Sequence, residues 1–186
     1  MCIGVRLWIA RTITSRRIVQ NLKSEVERIW APYGIQLAWS DGPSTVPHRL
    51  SIDVTLERES DQPAGDAPAV LGKVLVAPDD PVPYPIHVSF DATRELLLRR
   101  TGPGHVSLAQ LVPENELARA LGRVVAHEIG HVLIGTSYHD STGLMRANFN
   151  ADALASPDRT PFRLTCRTVR QLRSGLAPTT DGHACS

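Results

Sequence analysis

The chain has no apolar run approaching the roughly 20 residues that span a bilayer as a helix, so no membrane span is expected. Charge of one sign is lacking too: 20 Lys and Arg stand against 19 Asp and Glu, a net charge of +1 over 186 residues. Such a balance provides no field to draw the chain to nucleic acid or to an anionic surface, and any partner has to be argued from a site. Cysteine is scarce and odd in number, with Cys2, Cys166 and Cys185 alone. Cys166 and Cys185 could pair in an oxidising compartment; three free thiols are an equal alternative, so compartment and oligomeric state stay open. Repeats and a second core are also missing. One domain is expected, long enough to bury a core without disulfides or a structural metal.

Arg6 and Arg11 interrupt the apolar start MCIGVRLWIARTITS before a signal-peptide core of about 7 to 15 residues can form. The alternation of Val5, Leu7 and Ile9 with Arg6 and Trp8 reads instead as a strand. From Thr14 or Ser15, either one an N-cap, Ile18, Leu22, Val26, Ile29 and Trp30 recur at helical spacing up to Gly34. GIQLAWS and RLSIDVTLE then alternate as two further strands. Residues 57–72 show neither period and read as a surface loop, followed by a strand KVLVA at 73–77. Four prolines within PDDPVPYP exclude a helix, and IHVSF at 86–90 is a last short strand in which His87 is an ordinary strand histidine.

Pro113 opens PENELARALGRVVAHEIGHVLIG. Proline at the start, Glu114 and Glu116 near the positive end of the dipole, and apolar residues at helical spacing predict a long helix ending at Gly135. Little regular structure is expected after it until a short C-terminal helix, TCRTVRQLRSG, which stops at Gly175.

The long helix carries His127-Glu128-x-x-His131. At about 100° per residue the two histidines lie one turn apart on nearly the same face, able to converge on one ion, with Glu128 about 60° to the side. Two neutral imidazoles suit Zn²⁺, which lowers the pKa of a bound water toward about 7, and a carboxylate beside it can act as general base in hydrolysis. The bland alternative is two core histidines satisfied by neighbours, but unpaired imidazoles inside an apolar stretch are costly. A catalytic zinc needs a third protein ligand and an open position. No glutamate follows Glu128, which excludes the arrangement in which a later helix supplies one.

His127-Glu128-x-x-His131, a nearby Gly135, a third histidine at His139 and the Gly143-Leu144-Met145 segment resemble the metzincin metallopeptidases, whose pattern is H-E-x-x-H-x-x-G-x-x-H followed by a Met-turn. The order of strand, helix and strands also resembles that family's N-terminal subdomain. The resemblance implies an α+β fold, with a small mixed twisted sheet, a backing helix and an active-site helix in 1–135, and an irregular C-terminal subdomain in 136–186 ending in a helix. It implies His127, His131 and His139 as Zn²⁺ ligands, Glu128 as general base and Met145 as the Met-turn residue beneath the metal. This chain departs from the pattern by two extra residues between the second and third ligands; Gly135 can still end the helix in a left-handed conformation, and the longer loop costs little closure entropy.

Asp140 is the rival third ligand, since carboxylates also bind zinc. Met145 is by default plain packing, and Tyr138 beside the loop is given no role. His183 and Cys185 read as solvated tail, and His48 and His105 as loop residues. The implied activity is that of a zinc-dependent endopeptidase acting on a polypeptide, with the strand around LGKVLVAP as the upper edge of the cleft, where an extended peptide adds as a further strand. The alternatives are a zinc-binding module without catalysis and a zinc hydrolase acting on another amide.

Overall fold

The computed structural model describes residues 1–11, 13, 15–41, 50–58, 70–74, 85–101 and 112–175. Among these are the strands β1 (Cys2–Ile9), β2 (Gln36–Ser40), β3 (Ser51–Glu57), β4 (Gly72–Val74) and β5 (Pro85–Ser89). The α-helices are α1 (Arg16–Trp30), α2 (Phe90–Leu98), α3 (Glu114–Ile134), α4 (Ala151–Ala155) and α5 (Cys166–Gly175). One mixed sheet runs in the order β2-β1-β3-β5-β4, parallel except for β4, which lies antiparallel to β5 at the edge. This is the α+β arrangement that the family resemblance implies. No helix among the described residues is long and apolar enough to cross a membrane.

Period-two alternation decides which side of the sheet is covered. Val5 and Leu7 on β1, Ile52, Val54 and Leu56 on β3, and Ile86 and Val88 on β5 are all buried. Between them stand polar residues: Arg6 lies in register with Asp53 and donates twice to its carboxylate, at 2.6 and 2.8 Å, while His87 Nδ1 meets Glu57 Oε1 at 2.6 Å. α1 and α3 pack on each other, α1 reaching β2 and α3 reaching β4 and β5.

Local chemistry sets the helix ends. The Ser15 hydroxyl accepts from the Ile18 N–H at 3.3 Å, making Ser15 the cap of α1. α1 stops at Trp30, short of the expected Gly34, because Pro32 has no N–H to continue the ladder; a 3-10 turn over Ala31–Tyr33 intervenes, and Gly34 takes φ 73°. α3 runs as expected from just after Pro113 to Gly135, which closes it at φ 66°.

Several expectations need correcting. Phe90 does not end a strand: the Ser89 hydroxyl accepts from the Ala92 N–H at 3.1 Å, so one residue both finishes β5 and caps α2, a helix that the pattern of Gly and Pro did not signal. Of the expected strand 73–77, β4 includes residues 73–74 and begins a residue earlier at Gly72, and 75–77 lie outside the described residues. The supposedly irregular C-terminal stretch holds α4, capped by Asn150, and a 3-10 turn at Thr160–Phe162. Cys166 is an exposed free thiol and so does not pair with Cys185, and Cys2 is disulfide-bonded. His48, His105, His183 and Cys185 lie outside the described residues.

A buried ion network locks this framework around α3. Arg123, fully buried one turn before His127, donates from Nε to Glu25 Oε1 of α1 at 3.0 Å, and its other nitrogens donate to the carbonyls of Ala153, Leu154 and Asp158. Arg159 donates twice to the second oxygen of Glu25, at 2.9 and 2.6 Å. Burial pulls the Arg123 pKa below its ordinary value, and Glu25 opposes that shift. The network joins α1, α3, α4 and the segment after it at a single point, which fixes the C-terminal region against the helix bearing the histidines.

Candidate active site

α3 places His127, Glu128 and His131 on a buried face, and Gly135 turns the chain back so that His139 returns to the two helical histidines. One ligand atom from each of the three imidazoles falls in a set whose members lie within 4.8 Å of one another. The His139 ring stacks on His127 at 5.3 Å between centroids and stands edge-on to His131 at 4.8 Å. Asp140 is not in this group. Its carboxylate accepts from the Thr165 hydroxyl at 2.7 Å and from the Thr168 hydroxyl, both near the start of α5.

The orientation of the two helical rings is set from behind. His127 Nδ1 lies 2.7 Å from the Leu144 carbonyl, and His131 Nδ1 lies 2.8 Å from the Thr136 carbonyl. A carbonyl only accepts, so each Nδ1 carries the proton and each Nε2 presents a lone pair. Those two Nε2 atoms stand 2.9 Å apart. Burial pushes His127 down to about 4 and holds His131 below its ordinary value, so both rings are neutral at neutral pH. Two bare nitrogen lone pairs facing each other at this range repel, and a cation between them turns the repulsion into ligation. Two neutral imidazoles with carbonyl-anchored Nδ1 groups, joined by a third imidazole from His139, are a donor set that suits zinc.

Glu128 shares the cavity with the histidines but stands apart from their cluster. It is 6% exposed, and burial pushes its carboxyl up to about 7. β4 crosses close above it: a Cβ on Gly72 would stand 2.8 Å from Glu128 Oε1 and 2.8 Å from Val124 Cγ1, so glycine is what lets the edge strand approach. The cavity measures about 530 Å³. Its walls come from Leu71 and the adjoining β4 (Gly72), α2 (Ala92, Leu96), α3 (Val124, Glu128) and the segment after Met145 (Phe149), together with the three histidines.

Met145 is buried against α3 at Gly130, where any added Cβ would collide with its sulfur. Its turn is held by the Asp140 N–H on the Met145 carbonyl at 2.8 Å and the Leu144 N–H on the Arg163 carbonyl at 3.1 Å, and it bends at Gly143 with φ 78°. The turn therefore places the Leu144 oxygen under His127. Phe149 stands edge-on to His127 at 5.5 Å and stacks on Phe162, and the Arg146 guanidinium lies 4.6 Å over Phe149. Arg146 Nε and one terminal nitrogen have no hydrogen-bond partner among the described residues, so the ring faces are what compensate their burial.

Sequence reasoning overlooked Gly72, the two carbonyls behind the histidines, the α2 wall and the Glu25–Arg123 pair. A charged residue inside each apolar helical run, Glu25 among Leu22, Val26 and Ile29 and Arg123 beside Leu121, Val124 and Val125, was the available signal for the last of these. Tyr138, given no role from sequence, is 48% exposed: its hydroxyl accepts from Arg167 at 3.0 Å and the guanidinium covers its ring at 4.3 Å.

Comparison with sequence-family models and with curated proteins gave no match. Solved structures do match. A zinc-dependent peptidase from Methanocorpusculum labreanum superposes with a TM-score of 0.59 at 15% identity, over 91% of this chain and 100% of its own. An archaemetzincin from Methanopyrus kandleri superposes with a TM-score of 0.51 at 14% identity, over 95% of both chains. At these identities the likeness is one of fold, and it extends across nearly the whole chain.

Proposed function

We propose that this chain is a zinc-dependent metallopeptidase that hydrolyses internal bonds of a polypeptide, with His127, His131 and His139 as the zinc ligands and Glu128 as the general base. The observation that carries the reading is the convergence of three imidazole ligand atoms within 4.8 Å beside a buried carboxylate in one cavity. The fold that the chain shares with a zinc-dependent peptidase and an archaemetzincin supports it. Zinc held there supplies Lewis-acid polarisation of a carbonyl and lowers the pKa of a water toward about 7. Glu128 takes a proton from the attacking water and passes it to the leaving amine. The raised pKa of its buried carboxyl matches that exchange.

Met145 serves as the Met-turn residue, packing under the ligand pair at Gly130. The division at Gly135 follows the same logic: 1–135 supplies the sheet, Glu128 and two ligands, and 136–186 supplies the third ligand and the turn. Among the described residues β4 ends the sheet order, pairing with β5 on one side, and it lines the cavity, so an extended peptide can add along its other edge. A zinc module without catalysis would have no use for Glu128 or for a cavity of about 530 Å³ next to the ligands.

The test is incubation with a mixed peptide library, with and without a chelator, alongside Glu128→Gln. Cleavage at internal bonds that needs zinc and disappears in Glu128→Gln, while that variant keeps its zinc, is the expected result. Full turnover by the variant would remove Glu128 from its role, and hydrolysis of small amides but no peptide would move the substrate class.

A further inference from the structure

The three histidines are not held alike. His127 and His131 each have Nδ1 pinned by a carbonyl, at 2.7 and 2.8 Å. His139 has no hydrogen bond to its ring among the described residues, and the ring is exposed. The loop that bears it has no regular structure. A ligand in that position would wander over its rotamers unless its backbone were fixed, and zinc affinity would fall with the fraction of time it faces the other two.

The residues on either side of His139 are anchored to the same turn of α5. Ahead of it, Tyr138 is gripped by Arg167 through its hydroxyl and its ring face. Behind it, Asp140 accepts from the Thr165 and Thr168 hydroxyls, while its N–H donates to the Met145 carbonyl at 2.8 Å. Thr165 in turn accepts from the Thr168 N–H at 3.2 Å, so α5 begins at the point where it receives the loop. Thr168 is 2% exposed, which makes this contact a sheltered one.

We infer that Asp140 is a positioning residue for His139: its carboxylate, clasped by Thr165 and Thr168, fixes the backbone from which His139 reaches the cluster. The inference rests on the zinc reading above. It gives the carboxylate nearest the third histidine a role other than ligation, and makes α5 the platform of the third ligand.

The test measures zinc affinity by competition with a chromophoric chelator, which needs no turnover. Asp140→Ala should weaken zinc roughly 10- to 100-fold, the usual effect of removing an outer partner of a ligand. Asp140→Asn, which keeps an acceptor oxygen, should return most of that loss, and Thr168→Val should reproduce part of it with Asp140 intact. In a His139→Ala background, adding Asp140→Ala should change affinity no further, because Asp140 acts only through His139. Three results overturn the inference: Asp140→Ala binding like wild type; the loss persisting undiminished in the His139→Ala background; or Thr168→Val having no effect while Asp140→Ala loses zinc, which would make Asp140 a ligand. Failure of the zinc reading itself looks different, with wild type and His127→Ala indistinguishable.

Discussion

Gly72 of β4 passes so close to Glu128 that a methyl group on it would stand 2.8 Å from Oε1 and 3.0 Å from Cγ. Of the atoms in the way, the carboxylate end is the one free to move, because the backbone of both elements is held by the sheet and by α3. Gly72→Ala should therefore cost activity more than stability. A displacement near 1 Å of Glu128, the proposed base, would cost on the order of 100-fold in turnover, and zinc content should be unchanged. Steady-state kinetics on a cleaved peptide checks this, and a variant with wild-type kcat would show that Glu128 has room to spare.

Gly130 makes the corresponding approach on the other side of α3, against the Met145 sulfur. Met145 is 2% exposed and cannot swing into solvent. Gly130→Ala should overpack the site by about 1–3 kcal/mol and loosen zinc as well, since the displaced turn carries the Leu144 carbonyl that orients His127. Adding Met145→Ala should return part of the stability. Chemical denaturation of wild type, Gly130→Ala, Met145→Ala and the double variant reads the outcome, and additive effects would mean that the two residues do not collide.

Removing Glu25 leaves the fully buried Arg123 without its carboxylate and releases Arg159 too. Breaking a buried pair in this way costs about 3–5 kcal/mol, so Glu25→Ala should shift the urea midpoint strongly. A loss below about 1 kcal/mol, the range of exposed pairs, would show that water reaches the guanidinium.

Zinc that binds the folded chain and not the unfolded one stabilises by about 4 kcal/mol at a free concentration 1,000 times its Kd. For a chain of this length that corresponds to roughly 8–16 °C in Tm. Chelation should lower Tm by an amount in that range, and added zinc should restore it. His139→Ala should respond less than wild type. Equal melting with chelator and with zinc would count against a specific site.

What could be read directly from the chain is what depends on near neighbours. The stripe Ile18, Leu22, Val26, Ile29 and Trp30, the alternation of the strands, the left-handed Gly135, and the shared face of His127, Glu128 and His131 all follow from helical or strand periodicity within a few residues. α2 escaped that reading because Ser89 ends a strand and caps a helix at once, with no Gly or Pro to mark the change. The rest depended on residues far apart in sequence. Glu25 and Arg123 are 98 positions apart, and Gly72 reaches Glu128 because β4 lies antiparallel on β5 over α3.

His139 and Asp140 are adjacent and both chemically suited to zinc, so spacing along the chain could not say which would face the histidines. Hydroxyls 25 and 28 residues further on, at Thr165 and Thr168, take up the carboxylate. A loop without a repeating backbone has no phase of its own, and its direction is set by whatever it packs against.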